Sequence, residues 1–314
     1  TEATLGKINS FNPLFTSTSS EETLSRLLFA TLSATDYSGH TGLGLAESIH
    51  ANDTGDVWTV KLRKNLKWSD GEPITNKDIL YTIKTIQSPR IKTNFASKLV
   101  GVTAAENEQG EIVFTLTSPN AFFESSLDLP ILPSHILGDV APELLLENKF
   151  SSRPVTSGAF TVNATQNIGN EGEKIVYLTA NPKYYKNKPL LDSFSIHAFL
   201  NLTDIKNAVK NGTVTATADL PSKFATEVSS SNVNEYQSSV NYGVFAFFNT
   251  ESNLLKDKAL RQAIRLGLNL NNLRTGLSGE LPLDYPILES QIESITFPSI
   301  PKTDVTTAKA EIEK

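Results

Sequence analysis

The sequence predicts a mixed α/β protein, and three observations carry that prediction. From Trp58 to Arg63, the residues Trp58, Val60 and Leu62 alternate with Thr59, Lys61 and Arg63, which is the period of a half-buried strand. A turn and a helix start follow at once, with Ile79, Ile83 and Ile86 falling on one helical face. Between residues 155 and 250 strand and helix patterns alternate again.

Taken in order, residues 5–50 read as strand, loop, helix and loop. Ser19 and Glu22 are placed to cap the helix that carries Leu24, Leu27 and Leu28. In the second block, Ser69-Asp70-Gly71 is turn chemistry, with Gly71 free to take positive φ. Thr75 and Asp78 fit a capping box. A turn at Gln109-Gly110 leads into a strand with Ile112, Phe114 and Leu116 on one face. Further on, 159–162, 175–179, 194–200 and 243–248 read as strands, and 204–210 as a short helix closed by Asn211-Gly212. Asp257 is placed to cap a helix with Leu260, Ile264 and Leu268 on its buried face. Trp58 reads as core on its strand face, and Trp68, beside a turn, as partly exposed.

Composition narrows the function. The chain has 314 residues, 39% hydrophobic and 20% charged, enough for two domain-sized units. A net charge of -6 argues against a nucleic-acid partner, because phosphate binding uses a basic surface. No run approaches a membrane span in length. Cysteine is absent, which excludes disulfides, thiolate metal sites and cysteine nucleophiles. Methionine is absent too, which is unusual at this length. The start lacks a signal-peptide pattern, as expected of a mature or cut segment.

No catalytic constellation is legible. The four histidines, His40, His50, His135 and His197, lack ligand-type partners at helical spacing, so no metal or cofactor is expected. There is no G-x-S-x-G elbow. Thr156-Ser157-Gly158 reads as a turn before a strand. Glu21-Glu22 fall in a helix's first turn and Glu106/Glu108 beside a turn, and both pairs read as solvated surface. Residues 39–44 are glycine-rich but lack the Lys-Ser/Thr of a phosphate loop.

The order of motifs says more. The run Trp58-x-Val60-x-Leu62-Arg63, then Trp68-Ser69-Asp70-Gly71-x-Pro73-Ile74-Thr75 and Asp78, closely resembles the signature of the family 5 extracellular solute-binding proteins. Phe11-Asn12-Pro13-Leu14, Leu132-Pro133-Ser134-His135-Ile136-Leu137, Val155 to Phe160, Asn181-Pro182-Lys183-Tyr184-Tyr185, Phe247-Phe248-Asn249 and Leu260-Arg261-Gln262-Ala263-Ile264 resemble the same family in the same order. The resemblance covers roughly the whole chain.

That resemblance implies a periplasmic-binding-protein-like fold of two lobes, type II, cluster C. It divides the chain into residues 1–55 as the first part of lobe one, 56–150 as its small subdomain, 151–255 as its second part, and 256–314 as the crossing and start of lobe two. Family members continue further, so lobe two is expected to be largely missing from these residues. The implied function is an extracytoplasmic receptor, a monomer and not an enzyme, at the cell surface on a lipid anchor or in the periplasm. It would deliver oligopeptides or similar solutes to the permease subunits of an ABC importer. Receptors for a nickel chelate, an oligosaccharide or an opine share this fold, and a surface sensor or adhesin reusing it is the alternative from another class. The implied ligand contacts are Phe15, Thr16, Ser17 and Thr18 in the loop after Asn12-Pro13, then Phe95, Asn241, Tyr242 and Asn249. A polar loop leading into a helix cap is the competing reading of residues 15–18.

Overall fold

The computed structural model describes residues 1–36, 40–169, 172–218, 245–270 and 302–313, with residues 220, 224, 227, 228, 234, 236 and 272 between them. The chain forms two compact units, Thr1–Asp36 with Thr41–Leu220, and Tyr37–His40 with Pro221–Lys314.

The first unit opens with β1 (Glu2–Leu5), a 3-10 turn (Pro13–Phe15) and α1 (Ser19–Leu28). The short pair β2 (Ser33–Thr35) and β3 (Thr41–Leu43) follows. Next come β4 (Ala46–Ala51), β5 (Val57–Leu62), α2 (Asn76–Ile86), β6 (Val102–Glu106) and β7 (Ile112–Leu116). These four strands make an antiparallel sheet in the order β4-β5-β7-β6. The inward residues are those the alternation predicts: Trp58, Val60, Ile112 and Phe114 are buried, as are Ile79, Ile83 and Ile86 of α2. Two short helices, α3 (Phe123–Ser126) and α4 (Ser134–Leu137), close this part. The Phe123 ring of α3 lies 5.9 Å from Trp58 and 5.5 Å from Phe114.

The rest of the unit holds β8 (Phe160–Ile168), β9 (Glu173–Ala180), β10 (Ser193–Phe199), α5 (Leu202–Lys210) and β11 (Ala216–Thr217). They form a second sheet ordered β11-β1-β10-β9-β8. In it β1 runs parallel to both of its neighbours, with Glu2 opposite Ile196 on one side and Ala216 on the other. One hydrophobic core joins the two sheets, from Trp58 and Phe114 to Val176, Leu178, Ile196 and Ala198.

Buried polar groups tie the motifs together. Asp78 is buried at the start of α2, where one carboxylate oxygen accepts from the Thr75 N–H at 2.8 Å. The other accepts from the N–H and hydroxyl of Ser134 at 2.8 and 2.7 Å. Asp78 thus caps its own helix and pins α4 to it. Gly71 has φ +99, and the adjacent Asp70 carboxylate meets His135 Nε2 at 2.9 Å. Residues 156–158 join α1 to the Ser69 turn: Ser157 and Gly158 donate to the Leu28 carbonyl, and Ser69 and Thr156 exchange two bonds. A Cβ on Gly158 would lie 2.3 Å from the Leu27 carbonyl oxygen, so only glycine permits this approach.

Several expectations are corrected. The cap of α1 is Thr18, not Ser19, because the hydroxyl that accepts a helix N–H (from Glu21, 3.2 Å) comes one residue earlier. Glu21 is not solvated surface: it is 2% exposed, because its carboxylate gathers backbone N–H groups. Trp68 is fully buried rather than partly exposed, since Thr156 and His135 close over the turn beside it. The loop expected before residue 50 contains β2, β3 and β4, strands too short or too irregular to alternate clearly.

In the second unit, α6 (Lys258–Gly267) and α7 (Val305–Ile312) pack together. Asp257 caps α6, accepting from the Ala259 N–H at 2.8 Å, and Asp304 caps α7, accepting from the Thr307 N–H at 3.0 Å. Ala263 and Ala308 are the buried residues of these helices. Leu260 and Ile264 are half-buried and Leu268 is 41% exposed, which corrects the expected buried face. A short alanine-centred helix contact covers less surface than a helix laid on a sheet. Of the strand expected at 243–248, residues 245–248 are described; they have no ladder, and Phe247 is 89% exposed. A strand needs a neighbour to take up its N–H and C=O groups.

Candidate functional site

The loop between β1 and α1 is the part of the first unit most deliberately shaped. Asn12 caps the 3-10 turn, its side-chain oxygen accepting from the Leu14 N–H at 3.2 Å, and Pro13 presets the backbone of that turn. Leu14 buries fully, and Phe15 packs against the core while half-exposed. The chain then extends, with Thr16 at φ -64, ψ 129 and Thr18 at φ -133, ψ 157.

Glu21 holds this loop in shape. One of its oxygens accepts from the Asn9 and Ser10 N–H groups at 2.8 and 3.3 Å. The other accepts from the Ser17 N–H and hydroxyl at 2.7 and 2.9 Å. Charge-assisted bonds of this kind are about twice as strong as neutral ones. Nearby, the Lys174 ammonium donates to the Ile8 carbonyl at 2.6 Å. Burial pushes the Lys174 pKa down, and the charge of Glu21 opposes that shift.

A second segment meets the loop. The Asn94 amide donates to the Thr16 carbonyl at 3.3 Å, placing Phe95 beside it in sequence. The Phe95 ring is half-buried, with the Lys98 ammonium 5.8 Å from its centroid. Lys98 also donates to the Asp128 carbonyl at 3.0 Å, and burial lowers its pKa.

The expected site residues therefore separate. Thr16 and the segment of Phe95 are brought together, and Phe15 and Ser17 adjoin them. The Thr18 side chain is occupied, donating to the Lys7 carbonyl at 2.8 Å and capping α1. The Ser17 N–H and hydroxyl are occupied by Glu21. The N–H and hydroxyl of Thr16 make no hydrogen bond among the described residues. Asn249 is exposed in the second unit, where its side chain accepts from the Glu251 N–H at 3.0 Å. Asn241 and Tyr242 lie outside the described residues.

Sequence reasoning missed Glu21, Lys174 and Lys98. Glu21 had a signal, since Thr18 and Glu21 stand at capping-box spacing. The lysines had none, because their roles depend on contacts far away in the chain. Among the described residues no cluster of three or more His, Asp or Glu is arranged to hold a metal ion. The second unit carries a cavity of about 390 Å³, lined by Phe248, Lys258, Arg261 and Arg265 among others. No described helix is long and apolar enough to cross a membrane.

What can this arrangement do? An extended segment with an open N–H, braced from behind by a buried carboxylate, can accept a peptide or similar chain in strand-addition style. Known proteins resemble this chain over much of its length. The oligopeptide-binding protein AppA of Bacillus subtilis is 27% identical over 315 residues, covering 98% of this chain and 57% of that protein. The periplasmic oligopeptide-binding protein OppA of Salmonella typhimurium is 30% identical over 189 residues, covering 53% of this chain and 33% of that protein. The solved structure of the Bacillus AppA with a nonapeptide matches with a TM-score of 0.70 at 23% identity, covering 99% of this chain and 62% of that one. NikZ of Campylobacter jejuni in complex with Ni(L-His) matches with a TM-score of 0.65 at 20% identity, covering 87% of this chain and 54% of that one. These structures share the periplasmic-binding-protein-like fold of this chain, which spans about half the length of the relatives it matches. The family profile described as bacterial extracellular solute-binding proteins, family 5 Middle, matches residues 42–314, and the chain belongs to that family.

Proposed function

We propose that this chain belongs to an extracytoplasmic receptor that binds oligopeptides or similar solutes and passes them to an ABC importer, without catalysing a reaction. The observation that carries this reading is the extended Thr16–Ser17 segment, locked by Glu21 and Asn94, with the Thr16 N–H open. Backbone-to-backbone bonding along such a segment reads the shape of a peptide more than its side chains. Phe15 and Phe95 supply apolar surface beside it. Asn241, Tyr242 and Asn249 enter the proposal from sequence alone. The complete receptor works as a monomer, closing two lobes over its solute and docking on the permease subunits of the importer. Residues 1–55, 56–150 and 151–255 build lobe one in this reading, and 256–314 begin lobe two. Its place is outside the cytoplasmic membrane, on a lipid anchor or in the periplasm.

A second reading is favoured by one observation. The NikZ structure, of the same fold, holds Ni(L-His). With no three-residue metal cluster among the described residues, a metal would come here as a preformed chelate gripped by its organic part. Native mass spectrometry of the full-length protein purified from its host separates the readings. A co-purifying mass series of peptides supports the first. A nickel isotope pattern with small organic ligands overturns it in favour of the second.

A further inference from the structure

The loop between β9 and β10 leaves the sheet in an unusual state. Leu190 is 103% exposed and Leu191 57%, so folding removes little of this adjacent pair from water. Around them stand Lys183, Lys186 and Lys188, against one acidic residue, Asp192, on a chain whose net charge is -6. Asp192 pairs with Lys188 at 2.6 Å, while Lys183 and Lys186 have no ion pair among the described residues. The Lys186 ammonium lies 5.5 Å from the centroid of the half-buried Tyr185 ring. At the base of the loop a notch of about 250 Å³ is lined by Asn181, Tyr184, Lys186 and Lys188.

Lone exposed leucines are ordinary, but an exposed pair preceded within eight residues by three lysines and two tyrosines is not. Each component matches one layer of a lipid surface. Leucines enter the boundary between headgroups and chains, tyrosines settle at headgroup level, and lysines meet anionic headgroups. The notch is large enough for one headgroup and has cationic walls.

We infer that residues 183–192 form a docking tip for an anionic membrane surface, with Leu190 and Leu191 entering the interface and Lys186 and Lys188 holding a lipid headgroup. The contact is reversible, because two leucines and three lysines are too few for permanent attachment. It orients the first unit against the bilayer.

The test is co-sedimentation of the 314-residue chain with sucrose-loaded vesicles, either of phosphatidylcholine alone or of phosphatidylcholine mixed with phosphatidylglycerol. The chain is expected to sediment with the mixed vesicles only and to be released by added salt. Neutralising Lys186→Gln and Lys188→Gln should weaken partition by roughly fivefold per lysine. Leu190→Ser with Leu191→Ser should weaken it by roughly tenfold. All variants should keep the wild-type thermal transition, since these side chains are exposed. Absence of sedimentation, equal sedimentation with neutral vesicles, or unchanged partition of the variants overturns the inference. Complete displacement by free glycerol phosphate overturns it in favour of a small-anion site. Retention on immobilised polyglutamate without vesicle binding overturns it in favour of an acidic protein partner.

Discussion

At the scale of single residues, burial decides which side chains matter. Trp68 is fully buried and sits 6.2 Å from the His135 ring. Trp68→Ala is expected to cost about 3–5 kcal/mol, the range for a large aromatic removed from a core. Denaturant unfolding measures it, and peptide affinity should fall only as far as folding does. Tyr185 gives a pH signature. Its hydroxyl is held well above the ordinary tyrosine range, first by burial and then by Tyr184 beside it. A raised folded pKa means stability is full below pH ~10, where the unfolded tyrosine ionises, and falls as pH rises toward the folded value. Tyr185→Phe should therefore flatten the alkaline loss of stability and leave neutral pH little changed. Unfolding midpoints measured across alkaline pH check this, and a parallel loss in both proteins would contradict it. Residue identity alone foretold the core positions of β5, β7 and α2. It did not foretell Trp68, because a tryptophan beside a turn is exposed until a distant segment, here Thr156, covers it.

Elements depend on a few buried carboxylates. Glu21 fixes the loop from Asn9 to Ser17 through four bonds, so the shape of the candidate site is set from behind. In Glu21→Gln the amide nitrogen cannot accept, and one pair of donors loses its partner. The expected cost is about 2–3 kcal/mol. Peptide affinity should fall with it, because Thr16 and Ser17 are released. The exposed neighbour variant, Glu22→Gln, should change neither quantity, and calorimetry on both compares them directly. Asp78 does for α2 and α4 what Glu21 does for the loop. Asp78→Ala strands the Thr75 and Ser134 donors, at an expected cost of about 2–4 kcal/mol by denaturant unfolding. Sequence spacing showed Asp78 as a cap but not as a clamp on Ser134, which lies far along the chain. Only the family's motifs suggested Thr16 and Phe95 as ligand contacts. The meeting of their two segments rests on Asn94, whose role has no local pattern.

For the molecule as a whole, the motif order carried more than any periodicity. It led to the fold family, while alternation alone led no further than mixed strands and helices. Short strands such as β2 and β3 were illegible because three residues cannot display a period. In the second unit α6 and its Asp257 cap were legible but its buried face was not, since Leu268 at its end stays 41% exposed. Enclosure from both sides is expected to set affinity in this fold. A chain extended to the length of its relatives should therefore bind a shared peptide more tightly than residues 1–314, by at least about tenfold, as association costs are met by more contacts. Calorimetry on both chains decides this, and equal affinities would place the whole site within residues 1–314.

The position of β1 has a consequence for how such a molecule is made. Its strand partners are Ile196 to Phe199 on one side and Ala216-Thr217 on the other. Residues Glu2 to Leu5 must wait for nearly two hundred further residues before either neighbour exists. Parallel pairing over that separation is a high-contact-order step, and closing so long a loop is slow. The four-stranded antiparallel sheet, by contrast, is assembled from residues 46–116 and can form while synthesis continues. Folding should thus run from the middle outwards, with β1 entering last. During that interval the slot between β10 and β11 presents two unpaired strand edges, the natural place for a holding chaperone to bind or for a second copy's β1 to intrude.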